Sequence, residues 1–176
     1  MHRTLAYTIF FIVLVLLQAF LFDNLNLSIY IYPLVYTAFI ILLPIQTPRI
    51  AVLLLGFAIG VAVDAVSGTA GLHTIASLAS AFCRPMMLRL SIGKEEANEG
   101  GIPNSVKLGT GAFLRYSSVF IFIHCLVFFS FEALSWSYFH LTLVRILFSS
   151  AVTVALVYCT QLLFTPGQLQ KTRKTQ

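Results

Sequence analysis

The side chains able to do chemistry are few in this sequence, and they do not form a recognised reactive set. The three cysteines lie far apart and form no CxxC pair, so neither a metal site nor a disulfide framework is predicted. His73, His124 and His140 share no i, i+4 face, and no HExxH pattern is present. No GxSxG serine motif occurs, and the only two aspartates, Asp23 and Asp64, are not predicted to form a protease dyad because Asp23 lies in a connection outside the apolar runs. We therefore predict no catalytic residues, no metal and no cofactor.

The composition explains this shortage of reactive groups. Hydrophobic residues make up 59% of the 176 residues and charged residues 10%, against roughly 45–50% and 25% in soluble domains. The 11 basic and 6 acidic side chains cannot cover a water-soluble surface, which predicts a membrane protein and excludes a large soluble catalytic domain. The net charge of +5 comes from scattered basic residues. This pattern favours anionic lipids as partners over nucleic acid.

Six apolar runs approach the roughly 20 residues that a helix needs to cross a bilayer. The predicted spans are Leu5–Phe22, Ile29–Ile45, Ile50–Val66, Leu72–Leu90, Phe113–Leu134 and Phe139–Phe164. The only long connection is a polar loop, residues 91–111, and a basic tail covers residues 165–176. We therefore predict one all-α membrane domain, residues 1–176, built as a six-helix transmembrane bundle.

Basic residues favour the cytoplasmic side of short loops, and this rule orients the bundle. With the amino terminus inside, all 11 Lys and Arg residues except Arg145 lie on the cytoplasmic side. Both termini are therefore predicted to be cytoplasmic. The first span is predicted to be a retained helix and not a signal peptide, because no small-residue cleavage site follows it. Pro85 weakens the fourth span, which in an alternative interpretation crosses only to Cys83 and continues as an interfacial piece.

Three ionisable residues fall within the predicted spans, namely Asp64, Glu132 and Arg145. A charge at the bilayer centre costs about 2.5–3.5 kcal/mol, so each of them needs a partner. Counting residues along the helices puts Asp64 and Arg145 at nearly the same depth in the outer third. We predict a structural pair between them, with Glu132 as the competing acid. The alternative is that Arg145 extends to the outer headgroups and Asp64 merely ends its helix.

Span three carries a stripe of small residues. Gly56, Gly60 and Asp64 recur every four residues, which brings them close to one helical face. Small residues at this spacing allow close helix approach, so Gly56 and Gly60 are predicted to contact another helix or a partner. Ser149 and Thr153 form a comparable stripe on span six.

The order of residues from span three into span four resembles the rod shape-determining protein MreD family. The family pattern is GFxxGxxxD, then (S/T)G, then G(L/M)H, followed by an aromatic residue and Arg-Pro. The matching residues here are Gly56, Phe57, Gly60, Asp64, Ser67, Gly68, Gly71, Leu72, His73, Phe82, Arg84 and Pro85. Pro33 at the start of span two is also similar to a family proline.

The resemblance implies a non-enzymatic part of the cell-elongation machinery in the bacterial inner membrane. The implied fold is similar to that of the membrane substrate-binding subunits of vitamin transporters. The implied partners are a single-pass MreC-like protein and the peptidoglycan synthase pair RodA and penicillin-binding protein 2. The MreB filament would be linked indirectly, from the cytoplasmic side.

Two functions are therefore weighed. The first is a membrane scaffold that binds a partner's transmembrane helix and helps to position peptidoglycan synthesis and maintain cell shape. The second is a small-molecule carrier or binding subunit of the vitamin-transporter kind, which rests on fold analogy alone. The loop 91–111 is either a partner contact or a solvated connector, the commoner role of such loops.

Overall fold

The computed structural model of the chain describes residues 2–23, 31–92, 100–133 and 139–164, and this part is all-helical, without strands. Four helices are long and apolar enough to cross a membrane, which indicates a helical membrane protein. The helices are α1 (His2–Leu16, continued by a π-helical segment, Leu17–Phe22), α2 (Thr37–Ile41), α3 (Arg49–Ser67), α4 (Leu72–Ser91), α5 (Ser105–Leu108), α6 (Thr110–Ala133) and α7 (Phe139–Phe164). Residues 29–30 and 134 of the predicted spans, and the tail 165–176, lie outside the described residues.

The second predicted span is not one continuous helix. In the described part of the run Ile29–Ile45, only α2 (Thr37–Ile41) forms a helix, and residues 31–35 precede its N-cap, Tyr36. Pro33 has no N–H to donate and restrains Tyr32 to an extended conformation, so a helix cannot run through this point without loss. The prediction of a single helix is therefore wrong over the described part of this run.

The fourth predicted span, in contrast, is continuous. Helix α4 runs through Pro85 to Ser91, so the alternative that ends it at Cys83 is wrong. Its 20 residues correspond to about 30 Å, the thickness of the hydrocarbon core. Its buried face carries polar side chains, including Ser77, Ser80 and Arg84. These residues explain why α4 is less apolar than the four helices that are apolar enough to cross a membrane.

The helices surround a buried segment of the chain. Helix α3 packs on α4, α4 on α6, and α6 on α7, while α1 lies against α3. The short helix α2 contacts α1, α3, α6 and α7, which places it in the interior. Residues 33–43 are all buried. We call residues 32–43 the central segment.

The α3–α4 hairpin is held by close backbone approach. A Cβ added to Gly60 would lie 2.5 Å from Thr74 Cα, and one added to Gly56 would lie 3.0 Å from Ala81 Cβ. The predicted contact of these glycines with another helix is therefore present, within the chain itself. Gly68 and Gly71 have φ values of 70° and 88°, in the left-handed region that favours glycine, and they make the turn between α3 and α4.

Part of the polar loop 91–111 is packed against the bundle. The Ile45 N–H donates to the Gly101 carbonyl over 2.8 Å, and the Ser105 N–H donates to Gln161 Oε1 over 3.0 Å. Asn104 is buried and caps α5 by accepting from the Lys107 N–H. Residues 100–108 are therefore not a solvated connector. Residues 93–99 lie outside the described residues.

The close approach at Gly60 predicts a specific cost of adding a methyl group. Gly60→Ala should lower the free energy of unfolding by about 1–3 kcal/mol, because backbone atoms of Thr74 must move. Gly111→Ala is the matched control: it lies on α6, and an added Cβ there meets nothing within 4 Å. This control should be neutral or stabilising by up to about 1 kcal/mol. Thermal unfolding in detergent measures both; equal stability of the two variants would contradict the prediction.

Candidate functional site

The first half of the central segment is bound by side chains in place of helix hydrogen bonds. The N–H groups of Tyr32 and Leu34 donate to the hydroxyls of Ser149 and Thr153 on α7, over 3.0 and 3.1 Å. On the other side, the Gln18 side chain accepts from the Val35 N–H over 2.9 Å and donates to the Pro33 carbonyl over 3.1 Å. Backbone groups of an extended chain alternate in direction, so two different elements satisfy them.

Gln18 also links this segment to Asp23, which follows the π-helical segment. Its Nε2 donates to Asp23 Oδ1 over 2.8 Å, and the Tyr32 hydroxyl donates to the same oxygen over 2.7 Å. The Ser67 hydroxyl donates to the second oxygen of Asp23. The carboxylate thereby ties the end of α3 to α1 and to the start of the central segment.

The second half of the central segment ends with three carbonyls, and each receives a side-chain donor. Tyr116 donates to the Ile41 carbonyl over 3.3 Å, Tyr7 donates to the Leu42 carbonyl over 3.2 Å, and Arg84 donates to the Leu43 carbonyl. The Arg84 Nε also donates to the Tyr116 hydroxyl over 3.0 Å. Arg84 is only 2% exposed, and its positive charge lies at the negative end of the α2 dipole.

A chain of hydrogen bonds crosses the bundle through the middle of the central segment. The Tyr36 hydroxyl lies 3.1 Å from His73 Nδ1 and 2.7 Å from His124 Nε2. Ser80 Oγ lies 3.1 Å from His124 Nδ1 and donates to the Ala76 carbonyl over 2.8 Å. Because the Ser80 proton is used in that bond, His124 Nδ1 is the donor to Ser80, and Tyr36 then donates to His124 Nε2.

Ser80 and His124 thus form a serine–histidine contact, but its surroundings are those of a structural pair. Both side chains are fully buried, and the Ser80 hydroxyl points its proton at a backbone carbonyl. A nucleophilic serine would need its Oγ exposed to a substrate and its proton directed at the base. Within the described ranges, no group of three or more His, Cys, Asp or Glu side chains converges as a metal site.

Asp64 caps helix α4 from the neighbouring helix α3. Its carboxylate accepts from the backbone N–H groups of His73 and Thr74 over 3.1 and 2.9 Å, and from the hydroxyls of Thr69 and Thr74, each over 2.5 Å. Gly71, the N-cap residue of α4, has no side chain with which to do this. A negative charge at a helix N-terminus is favourable because it satisfies free N–H groups and the helix dipole.

The predicted Asp64–Arg145 pair does not form. Arg145 instead binds Glu132, with Nη1 3.0 Å from Oε2, and its guanidinium lies 4.8 Å from the Phe129 ring centre. Glu132 and Arg145 lie on the adjacent helices α6 and α7, whereas Asp64 lies on α3, which packs mainly on α4. Because Asp64 already accepts four hydrogen bonds, it has no need of a cation. The acid that the sequence interpretation ranked second is the partner of Arg145.

The other predicted site residues belong to the family pattern, and they lie in the α3–α4 hairpin and on α4. His73 joins the Tyr36 network, Arg84 binds the end of the central segment, and Pro85 lies on the outer surface of α4. The sequence interpretation missed the roles of Gln18, Tyr36, His124, Ser80 and Thr153. Two features of the sequence could have indicated these roles: a glutamine inside an apolar helix, and a proline within an alternating Ile-Tyr run.

Comparison with known proteins finds no matching family model, and no significant match among curated proteins or solved structures. The resemblance to the MreD family therefore rests on the ordered residues from Gly56 to Pro85.

Because α7 binds the non-helical first half of the central segment, we predict that Thr153→Val destabilises the protein. The substitution keeps the shape of the side chain but leaves the buried Leu34 N–H without an acceptor, which costs about 1–3 kcal/mol. Thr160→Val on the same helix is the matched control, since the Thr160 hydroxyl binds only the Leu156 carbonyl of its own helix. Thermal unfolding in detergent should separate the two variants, and equal losses would contradict the assigned role of Thr153.

The cap on α4 predicts energetic coupling between Asp64 and Thr74. Asp64→Asn removes acceptor capacity and Thr74→Val removes a donor, so each should lower stability by about 1–3 kcal/mol. The double variant should lose less than the sum, by about 0.5–3 kcal/mol, because both changes break one contact. Thr74→Ser keeps the hydroxyl and is the control. Strictly additive losses in unfolding measurements would show that the contact does not stabilise the protein.

Proposed function

We propose that this chain is an MreD-like scaffold of the cell-elongation machinery in the bacterial inner membrane. In this role it binds a single-pass MreC-like protein and helps to position peptidoglycan synthesis by a RodA and penicillin-binding protein 2 pair. The MreB filament is reached indirectly, and anionic lipids surround the cytoplasmic ends of the helices. The protein has no catalytic step of its own.

One observation carries the proposal: the residues of the MreD-like pattern act together as a structural unit. Gly56 and Gly60 bring α4 against α3, Asp64 caps α4, and Gly68 and Gly71 make the turn between the helices. Farther along α4, His73 and Arg84 bind the central segment. A pattern whose members depend on one another physically is more specific than a set of isolated matches, and this supports the resemblance.

We propose six membrane crossings with both termini in the cytoplasm. The four long apolar helices supply four crossings, and α4 is long enough for a fifth. The central segment supplies the sixth crossing, because it runs alongside the first helix. One end of the segment contacts Asp23 and the other end contacts Tyr7, which lies 16 residues before Asp23 in the chain. A separation of 16 helical residues is about 24 Å. Non-helical backbone at this depth is acceptable because it is buried in protein.

The packing of the centre favours a scaffold over a small-molecule carrier. A carrier of the vitamin-transporter kind needs space among its helices for a ligand. Here the middle of the central segment fills that position, with Tyr36, Ile40 and Leu34 fully buried. Tyr36 is also bound on two sides by His73 and His124. Opening a ligand site at this point would break that network, so the packed centre supports the scaffold role.

The proposed topology is tested by reporter fusions. Green fluorescent protein fused to either terminus should fluoresce, and alkaline phosphatase fused to either terminus should be inactive, since both ends are cytoplasmic. Alkaline phosphatase inserted between residues 134 and 138, in the predicted outer connection between α6 and α7, should be active. Active phosphatase at only one terminus would indicate an odd number of crossings and would contradict the proposal.

The proposed partner is tested by co-purification from a mild detergent. A tagged chain should retain a co-expressed MreC-like single-pass protein, and it should not retain an unrelated single-pass protein at the same expression level. Depletion of the chain from a rod-shaped host that depends on it should produce rounded cells. Isolation as a partner-free monomer in the presence of the MreC-like protein would contradict the scaffold role. A small molecule retained in native mass spectrometry would favour the carrier.

A further inference from the structure

A groove opens between α3 and α4 on the outer surface of the bundle, at the end opposite to Asp64. It has a volume of about 440 Å³. Its apolar lining comes from both helices: Leu53, Ala81, Phe82, Pro85, Met86 and Leu90. Two arginines, Arg49 at the start of α3 and Arg89 in the last turn of α4, complete it.

The side chains of the two arginines have no partner among the described residues. Both are exposed, and within the described ranges neither guanidinium group has a hydrogen bond or an ion pair with another residue. This distinguishes them from Arg84 and Arg145, which are bound by Tyr116 and Glu132. Two exposed guanidinium groups lining one groove make a positive site that complements a phosphate, which arginine binds well.

The apolar residues below the arginines are suited to a hydrocarbon chain. Phe82, Met86 and Leu90 are 74%, 66% and 72% exposed, and they recur every four residues along one face of α4. Arg89 lies at the end of this face, so the groove has a cationic end and an apolar body. An anionic phospholipid has the same arrangement of a charged headgroup followed by an acyl chain.

We propose that this groove is a binding site for an anionic phospholipid of the cytoplasmic leaflet. Its phosphate binds Arg49 and Arg89, and one acyl chain lies along Leu53, Phe82 and Met86. General attraction of basic residues to an anionic surface does not need a groove, whereas this site joins both arginines to one apolar cleft. The inference depends on the proposed membrane topology and is independent of the assignment to the MreD family.

The test is a lipid titration of the full chain in detergent, followed by native mass spectrometry. The probes are phosphatidylglycerol and phosphatidylcholine with identical dioleoyl chains. The parent protein should retain phosphatidylglycerol preferentially. The double variant R49Q/R89Q should weaken its binding by about 25-fold, because each basic side chain near an anionic lipid contributes about fivefold. A matched double variant, R115Q/K107Q, removes two basic side chains at the same end that do not line the groove, although Arg115 reaches the Ser91 carbonyl in the last turn of α4. It should weaken binding by less than about fivefold.

Met86→Trp tests the apolar half of the site, since a larger side chain fills the groove and leaves both arginines in place. It should reduce the number of retained phosphatidylglycerol molecules by one. If the parent protein shows no preference for phosphatidylglycerol, the proposal is overturned, whether or not the variants fold. Equal losses in the two double variants would also overturn it, by indicating general attraction alone. If R49Q/R89Q kept the lipid but lost the MreC-like protein, the groove would be a protein interface, and the lipid proposal would fail while the scaffold proposal stood.

Discussion

Residues 32–35 carry backbone N–H and C=O groups that have no partner within a helix of their own, and residues 33–35 are buried inside an apolar bundle. An unpaired N–H or C=O in such a place costs several kcal/mol, so each neighbouring element has to supply a partner. Helix α7 supplies Ser149 and Thr153, the π-helical segment supplies Gln18, and α4 supplies Arg84 for the Leu43 carbonyl at the far end. The surrounding helices are thereby held at fixed positions around one broken segment.

The same constraint explains why α4 is polar on its buried face. This helix has to approach α3 closely, and the glycines of α3 make that possible. It then presents His73, Ser80 and Arg84 to the interior, where Tyr36, His124 and the end of the central segment bind them. An apolar α4 would cross a membrane more easily, but it would leave these partners without hydrogen bonds.

Residue types and their spacing were sufficient to predict part of this arrangement. The four long apolar helices, the close approach at Gly60 and the glycine turn at Gly68 and Gly71 all follow from local rules about hydropathy, side-chain size and backbone freedom. The sequence left open whether the fourth span continues through Pro85, and it predicted a helix where the chain is broken at Pro33. The effect of a proline depends on whether neighbouring side chains can replace the lost hydrogen bonds. That information is not local.

The sequence by itself determined that the chain is a helical membrane protein with few charges, and that Gly56 and Gly60 form a face suited to close packing. Only the tertiary structure decided the partners of those charges. Depth along a helix placed Arg145 level with Asp64, yet Arg145 binds Glu132, because depth does not specify which helices are neighbours. Likewise Asp64 binds the N-terminus of α4, and Gln18 binds a segment that its apolar composition had assigned to a helix. Pairing across elements depends on their packing order, and a one-dimensional pattern of hydropathy does not contain it.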